Sequence, residues 1–178
     1  MNATSNTSQG GFTLVELLVS VLILAFGLLG IGGMLGFSLK SNSSSYLKQL
    51  SVQSASNIID RMRANSQTAI AGVYNVNNLV ASGAPVIPAK PTPDCSTATC
   101  TPSQLAAYDS WYWLAKDVAA QLPAGCASIT TVAVGGNTLV TVTVQWDDSP
   151  AQSKLGTATA STAAAHPNLA RFVTQTLL

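Results

Sequence analysis

The hydrophobic pattern divides the chain into segments of different character. A polar leader without charged side chains covers residues 1–11, and an apolar run follows from Phe12 to Leu39. As a helix, this run of about 28 residues measures roughly 42 Å, which is long enough to span a bilayer with tilt. We therefore predict a leader over residues 1–11 and a membrane helix over residues 12–39.

Helical periodicity continues beyond the apolar run. Apolar and small residues recur at intervals of three and four, whereas Lys48, Asp60 and Arg61 fall largely outside this stripe. The stripe consists of Leu47, Leu50, Ser54, Ala55, Ile58, Ile59 and Met62. The pattern predicts an amphipathic helical stem over residues 40–70, whose apolar face needs a sheet to cover it.

The remaining part, residues 71–178, is predicted to form one small domain that contains a helix. Thr101 as N-cap, Pro102 at the first position and Gln104 two residues later predict a helix start with a capping box. The predicted inner stripe of this helix is Leu105, Tyr108, Tyr112, Ala115 and Ala119. Because Trp111 and Trp113 point to different sides of a helix, we expect at least one of them to be partly exposed.

The same domain carries strand patterns. Residues 128–134 and 138–146 are rich in Thr and Val, and the turn residues Gly135-Gly136-Asn137 lie between them. This arrangement predicts a hairpin, and residues 169–178 alternate again as a last strand. The predicted fold is therefore α+β: a long N-terminal helix, half transmembrane and half amphipathic stem, packed on a small antiparallel sheet whose strand order the pattern leaves open.

One carboxylate, Glu16, lies inside the otherwise uncharged apolar run. An acidic side chain at a bilayer centre costs about 3 kcal/mol on insertion scales, so a chain retains one mainly where a partner neutralises it. Cleavage after Gly11 would create such a partner, because the new α-ammonium group on Phe12 would lie one helical turn from Glu16.

The segment Gly11-Phe12-Thr13-Leu14-Val15-Glu16 resembles the processing motif of type IV prepilins and pseudopilins. The resemblance implies a pilin-like fold, cleavage between Gly11 and Phe12 by a prepilin peptidase, and methylation of the new Phe12 amine. It also implies a role for Glu16 in filament assembly, through the ammonium group of a neighbouring subunit.

Five glycines occupy the second half of the apolar run, at Gly27, Gly30, Gly32, Gly33 and Gly36. Gly32 and Gly36 are four residues apart, a spacing that lets helices approach closely in lipid. Alternatively, we expect the segment from Gly30 to Gly36, with Gly33 at its centre, to unwind when subunits pack. Major pilins often have a proline near this position and loosen there in filaments, but the proline is missing from this chain.

Two further stretches resemble a PilV-like subgroup of minor pilins, the pilus modification proteins. They are Asp60-Arg61-Met62-Arg63-Ala64-Asn65 and the residues from Cys100 to Ala106. The resemblance implies a non-enzymatic subunit that helps to prime, assemble or modify type IV pili, and so supports twitching, adhesion or DNA uptake. Two alternatives remain open: a minor pseudopilin of a type II secretion apparatus, and a membrane-anchored periplasmic binding module.

The implied location is the bacterial inner membrane, with the C-terminal domain in the periplasm, followed by the pilus. The implied partners are the prepilin peptidase and methyltransferase, other minor and major pilins, the assembly platform and inner-membrane lipid. Charge alone favours the opposite orientation, because the first positive side chains, Lys40 and Lys48, follow the span. The Glu16 motif and the cysteines nevertheless lead us to expect export.

Three cysteines leave an odd count, and export predicts one disulfide. Cys95 and Cys100 are close in sequence, and closing this loop would contribute roughly 2 kcal/mol by the loop-entropy relation. We prefer this pair, while Cys126 remains an alternative partner for either.

Composition argues against several functions. A formal net charge of +1 and the lack of a basic run predict no strong nucleic-acid binding. The single histidine, His166, lies between Ala165 and Pro167 without a second ligand pair or a nucleophile in its context. We therefore predict no catalytic residues, no metal site and no cofactor.

Overall fold

The computed structural model describes residue 11 and residues 13–80, 85–149 and 169–178. The elements in chain order are α1 (Leu14–Ala64), α2 (Ser66–Ile70), β1 (Val76–Asn77), α3 (Pro102–Tyr112), a π-helical segment (Trp113–Val118), β2 (Cys126–Val134), β3 (Asn137–Asp147) and β4 (Leu169–Leu177). Residues 1–10, Phe12 and His166 lie outside the described residues.

Helix α1 belongs to both of the compact units into which the chain divides, Met1–Leu39 and Lys40–Leu178. Its first half carries exposed apolar side chains, as expected of a segment that water does not surround. The helix is continuous from Leu14 to Ala64 despite its glycines. A glycine costs about 1 kcal/mol relative to alanine inside a helix, so the five glycines lower the intrinsic helix propensity of this half.

The stem half of α1 buries the predicted stripe. Seven residues of this half are buried, and Leu50 packs against them as a partly buried neighbour. The seven are Leu47, Ser51, Ser54, Ala55, Ile58, Ile59 and Met62. Small side chains at three of these positions let the helix approach its partners closely, while Ile58 and Met62 are completely buried in the core.

The sheet has the order β1-β2-β3-β4, and every neighbouring pair is antiparallel. Its central hairpin pairs Val134 with Asn137 across Gly135 and Gly136, whose φ values are +56° and +87°. Glycine tolerates these positive φ values, so the predicted turn is confirmed as a two-residue connection. The short strand β1 was not predicted from the sequence, because a two-residue strand leaves no alternation to detect.

Alternation in β3 determines which face of the sheet meets the core. Val140, Val142 and Val144 are fully buried, and Trp146 continues this face. With side chains alternating between faces, the threonines between these valines lie on the opposite side. The predicted α+β architecture, a long helix packed on a small antiparallel sheet, is confirmed.

The start of α3 follows the prediction, whereas its buried face does not. Thr101 and Gln104 form the capping box, with hydrogen bonds of 3.3 and 2.9 Å. The predicted inner stripe is wrong by one position: Leu105 is 39% exposed, and the buried residues are Ala106, Asp109, Ser110, Trp113, Leu114 and Val118.

A tertiary contact at Asp109 accounts for the shift within α3, and a local change of helix type follows it. Asp109 turns inward because Arg61 and Tyr74 donate hydrogen bonds to its carboxylate. The π-helical segment then changes the helical phase, as the Ala119 N–H donates to the Leu114 carbonyl, five residues earlier. As expected, one of the two nearby tryptophans is only partly buried, because Trp113 is inside and Trp111 is not.

Replacing Ile58 tests how strongly the stem is attached to the domain. Ile58 is fully buried, so Ile58→Ala should lower the free energy of unfolding by about 2–5 kcal/mol, through lost burial and a residual cavity. Tryptophan fluorescence during denaturation of the purified full-length protein measures this change, since Trp113 and Trp146 lie in the same core. Val52→Ala, at a site on α1 that is 39% exposed, is the control. Equal losses for both variants would contradict the assignment of the buried face.

Candidate functional site

The start of α1 is organised by Thr13. Its Oγ1 atom accepts a hydrogen bond of 3.3 Å from the backbone N–H of Glu16, and its carbonyl accepts one of 3.2 Å from the N–H of Leu17. A threonine in this position supplies an acceptor for a first-turn N–H group that has no partner within the helix. The helix begins at Leu14, three residues after Gly11.

Sequence analysis missed this cap, although a signal for it was present. Thr13 and Glu16 have the spacing of a capping box, in which a threonine is followed three residues later by glutamate. In the structure, the Thr13 side chain makes its half of this arrangement. The Glu16 carbonyl also accepts a hydrogen bond of 2.8 Å from Ser20 Oγ. The hydroxyl groups of Thr13 and Ser20 thus both bond to the backbone of the first turns of α1.

The Glu16 side chain is exposed in the first turn of α1. Among the described residues, the salt bridges join three other pairs and none includes Glu16. The positive end of the helix dipole favours a carboxylate there by typically 0.3–1 kcal/mol, which is less than the cost of placing it in hydrocarbon. Glu16 therefore still lacks a counter-ion within the described part of its own chain.

Of the two residues at the predicted cleavage site, the structure describes Gly11 alone. Gly11 is exposed, and no atom lies within 4 Å of the position that a Cβ atom would occupy there. Phe12, the predicted methylation site, lies outside the described residues. Its pairing with Glu16 stays a prediction.

The first part of α1 presents apolar side chains to its surroundings on all sides. Leu14, Met34 and Phe37 are 80%, 78% and 71% exposed. Among the described residues, this is the one helix that is long and apolar enough to cross a membrane. Such a surface is unstable in water, because burying apolar area contributes about 25 cal/mol for each Å².

Residues 6–32 match the family model of the prokaryotic N-terminal methylation motif. This match supports a type IV prepilin-like protein. The motif family is structural rather than enzymatic, and it implies processing by a prepilin peptidase and assembly with other pilins. No curated protein and no solved structure matches the chain significantly.

The methylation motif and the long apolar helix both suggest membrane anchoring. The predicted packing glycines Gly32, Gly33 and Gly36 all lie within α1. At Gly32 and Gly33 no described atom lies within 4 Å of the position that a Cβ atom would occupy, so the described residues leave room for a side chain there. Their predicted roles in helix packing or unwinding stay predictions about contacts between subunits.

The cysteines of the domain adopt the preferred pairing. Cys95 and Cys100 form a disulfide, with Cα atoms 5.6 Å apart, and Cys126 is free and buried. Burial raises the pKa of the Cys126 thiol, which keeps it protonated and unreactive. Cys126 is therefore a core side chain at the start of β2.

A polar network joins the end of the stem to α3. Arg61 donates a hydrogen bond of 2.8 Å to Asp109, and its guanidinium group lies 5.0 Å from the ring centroid of Tyr112. The Tyr74 hydroxyl donates to the other carboxylate oxygen of Asp109, at 3.1 Å. Asn65 donates to Tyr74 and to the Pro102 carbonyl, at 3.3 and 2.8 Å.

This network gives the Asp60–Asn65 block a structural role that its sequence did not convey. Sequence analysis placed Arg61 largely outside the buried stripe, yet it forms an ion pair with Asp109, a residue 48 positions away that is only 6% exposed. By contrast, Arg63 pairs with Asp60 at the surface, at 3.2 Å. Exposed pairs of this kind contribute at most about 1 kcal/mol. Water screens the Arg61–Asp109 pair less, because its carboxylate side chain is only 9% exposed and its guanidinium side chain 30%.

Burial raises the pKa of Tyr74 to about 12, and the nearby Asp109 carboxylate adds to this effect. The unfolded chain releases this proton near pH 10, whereas the folded protein retains it to about pH 12. The unfolded state thus binds fewer protons over this interval. The stabilisation is fully present below pH 10 and is lost as the pH rises towards 12.

Tyr74→Phe tests this linkage. At pH 8 the variant should be less stable by about 1 kcal/mol, because it loses the hydrogen bond to Asp109. Between pH 10 and 12 the difference from the unsubstituted protein should shrink or reverse, since phenylalanine has no proton to lose. Thermal unfolding followed by circular dichroism at a series of pH values measures both effects. Tyr46→Phe, at a site that is 61% exposed, is the matched control, and a constant Tyr74→Phe difference across the range would contradict the assignment.

Proposed function

We propose that the protein is a minor type IV pilin, a non-enzymatic structural subunit that helps to prime, assemble or modify type IV pili. One observation carries the proposal: a methylation motif over residues 6–32 includes the start of an apolar helix whose single first-turn carboxylate has no counter-ion in the described part of its own chain. Such a carboxylate is suited to bind a cation that another subunit supplies.

Before processing, the apolar half of α1 anchors the chain in the inner membrane, with the C-terminal domain in the periplasm. A prepilin peptidase cuts between Gly11 and Phe12, and the new amine is methylated. The cut places an ammonium group beside the N-terminus of α1, where the helix dipole disfavours positive charge. A carboxylate from a neighbouring copy or another pilin offsets this cost.

Glu16 provides that carboxylate in the growing filament. Opposite charges 4 Å apart attract by about 4 kcal/mol at an effective dielectric constant near 20, which offsets the insertion cost of about 3 kcal/mol. An uncut subunit has no ammonium group at this position. Processing therefore controls docking at the assembly platform, and the glycines at positions 32, 33 and 36 adjust the packing of neighbouring helices or let the segment unwind.

The motif itself is common to pilins and secretion pseudopilins, so location decides between them. The Asp60–Asn65 block and the Cys100–Ala106 stretch, which resemble pilus modification proteins, support the pilus. Proteomics of sheared pili tests this directly: recovery with the pili supports the proposal. Recovery in a secretion pseudopilus, or in the membrane alone, would contradict it.

Gly11→Val should block processing, because a branched side chain replaces hydrogen at the cleavage position. We expect the precursor to accumulate, with an intact N-terminus by mass spectrometry. Gly27→Ala is the control, since the space around that position is open and the site lies away from the cut. A mature-sized Gly11→Val product would exclude this cleavage site.

Glu16→Leu should leave cleavage intact and reduce the amount of protein in sheared pili. Glu16→Gln should behave similarly, because it preserves size and removes charge, whereas Glu16→Asp should retain part of the incorporation. At the strength estimated above, loss of the attraction would lower incorporation by more than about tenfold. Normal incorporation of the Leu and Gln variants, measured against processed protein in the membrane, would rule out the pairing.

A further inference from the structure

The loop before α3 is fastened at its end by the Cys95–Cys100 disulfide. Both cysteines are half-buried, and Cys100 directly precedes Thr101, the N-cap of α3. The capping box of Thr101 and Gln104 holds the helix start independently of the loop. The disulfide therefore closes a small ring next to α3, whose first turn is stabilised separately by the capping box.

Asp94 links this ring to the rest of the loop. Its carboxylate accepts hydrogen bonds from the backbone N–H and the hydroxyl of Ser96, at 3.1 and 2.8 Å. Its carbonyl accepts from the N–H groups of Thr97 and Ala98, at 3.1 and 2.9 Å. These four donor groups belong to Ser96, Thr97 and Ala98, which all lie inside the disulfide ring, so closure of the ring restricts the positions that the donors around Asp94 can adopt.

Lys90, which lies in this loop, covers a pair of aromatic side chains on α3. Its ammonium group pairs with the Asp94 carboxylate and lies 5.5 Å from the ring centroid of Trp111 and 5.8 Å from that of Tyr108. The two rings are themselves neighbours, with centroids 5.6 Å apart. Both are half-buried, whereas Leu105, one turn earlier on α3, is 39% exposed.

We propose that the Cys95–Cys100 disulfide is a redox-sensitive latch that keeps Lys90 over Trp111 and Tyr108, and that its reduction uncovers these rings. A dithiol donates two electrons and two protons to the disulfide. The S–S bond breaks, two thiols form, and the dithiol becomes a disulfide. The opened ring no longer holds the donors around Asp94, so Asp94 and its partner Lys90 move away from the rings together.

The fold limits this change to the loop. Helix α3 keeps its capping box, and Trp113 keeps its hydrogen bond of 2.9 Å to the Ser54 carbonyl on α1. Trp113 and Trp146 are 0% and 3% exposed, so Trp111 is the one of the three tryptophans whose exposure should respond.

The test uses the full-length protein in detergent, before and after treatment with dithiothreitol, with thiol titration to confirm that two new thiols appear. Reduction should shift the tryptophan emission to longer wavelength and increase quenching by acrylamide. The Cys95→Ser/Cys100→Ser variant should show both properties without reductant. Lys90→Gln should increase quenching while the disulfide remains intact.

Trp111→Phe is the matched control, because it removes the responding side chain and should abolish the change on reduction. Unchanged quenching after two thiols are titrated would overturn the proposal. The same increase in Trp111→Phe, or no effect of Lys90→Gln, would also overturn it. Loss of the near-ultraviolet circular dichroism signal on reduction would show instead that the disulfide supports the whole domain. The test needs no pilus and gives its result whichever filament the protein enters.

Discussion

The carboxylate of Glu16 constrains the first part of this protein more than any other group. It lies in the first turn of a helix whose surroundings must be apolar, and the described part of the chain supplies no cation to neutralise it. Helix-dipole and capping effects contribute a fraction of the cost of burying a charge in hydrocarbon. The processed N-terminus of a neighbouring subunit is the counter-ion that we propose, and the match to a methylation motif at the same place supports this proposal.

A different balance holds the C-terminal unit together. The stem of α1 buries a narrow stripe of apolar and small side chains against the sheet and α3. Hydrophobic burial of this kind fixes which face turns inward, but it sets position along the helix only loosely. The hydrogen bond between Arg61 and Asp109 is directional and fixes the position along the helix more closely, because a buried carboxylate with its partners in place tolerates little displacement.

Resemblance and periodicity predicted much of the fold, for reasons visible in particular residues. The stem stripe was predictable because Leu47, Ile58 and Met62 repeat at helical spacing, and the hairpin because valines alternate around a Gly-Gly turn. The buried face of α3 was not, because Asp109 is a polar residue that enters the core on account of partners distant in sequence. The local sequence pattern around Asp109 contains no information about its contacts with Arg61 and Tyr74.

For the candidate site, the sequence by itself determined the processing motif, the membrane-length helix and the isolated charge at Glu16, since each depends on the order and spacing of neighbouring residues. The Cys95–Cys100 pairing, which closeness in sequence favoured, is present in the structure. Tertiary structure alone decided the inward turn of Asp109 and the placement of Lys90 over Trp111. These outcomes depend on which distant segments meet, and that is fixed by packing of the whole core rather than by any local preference.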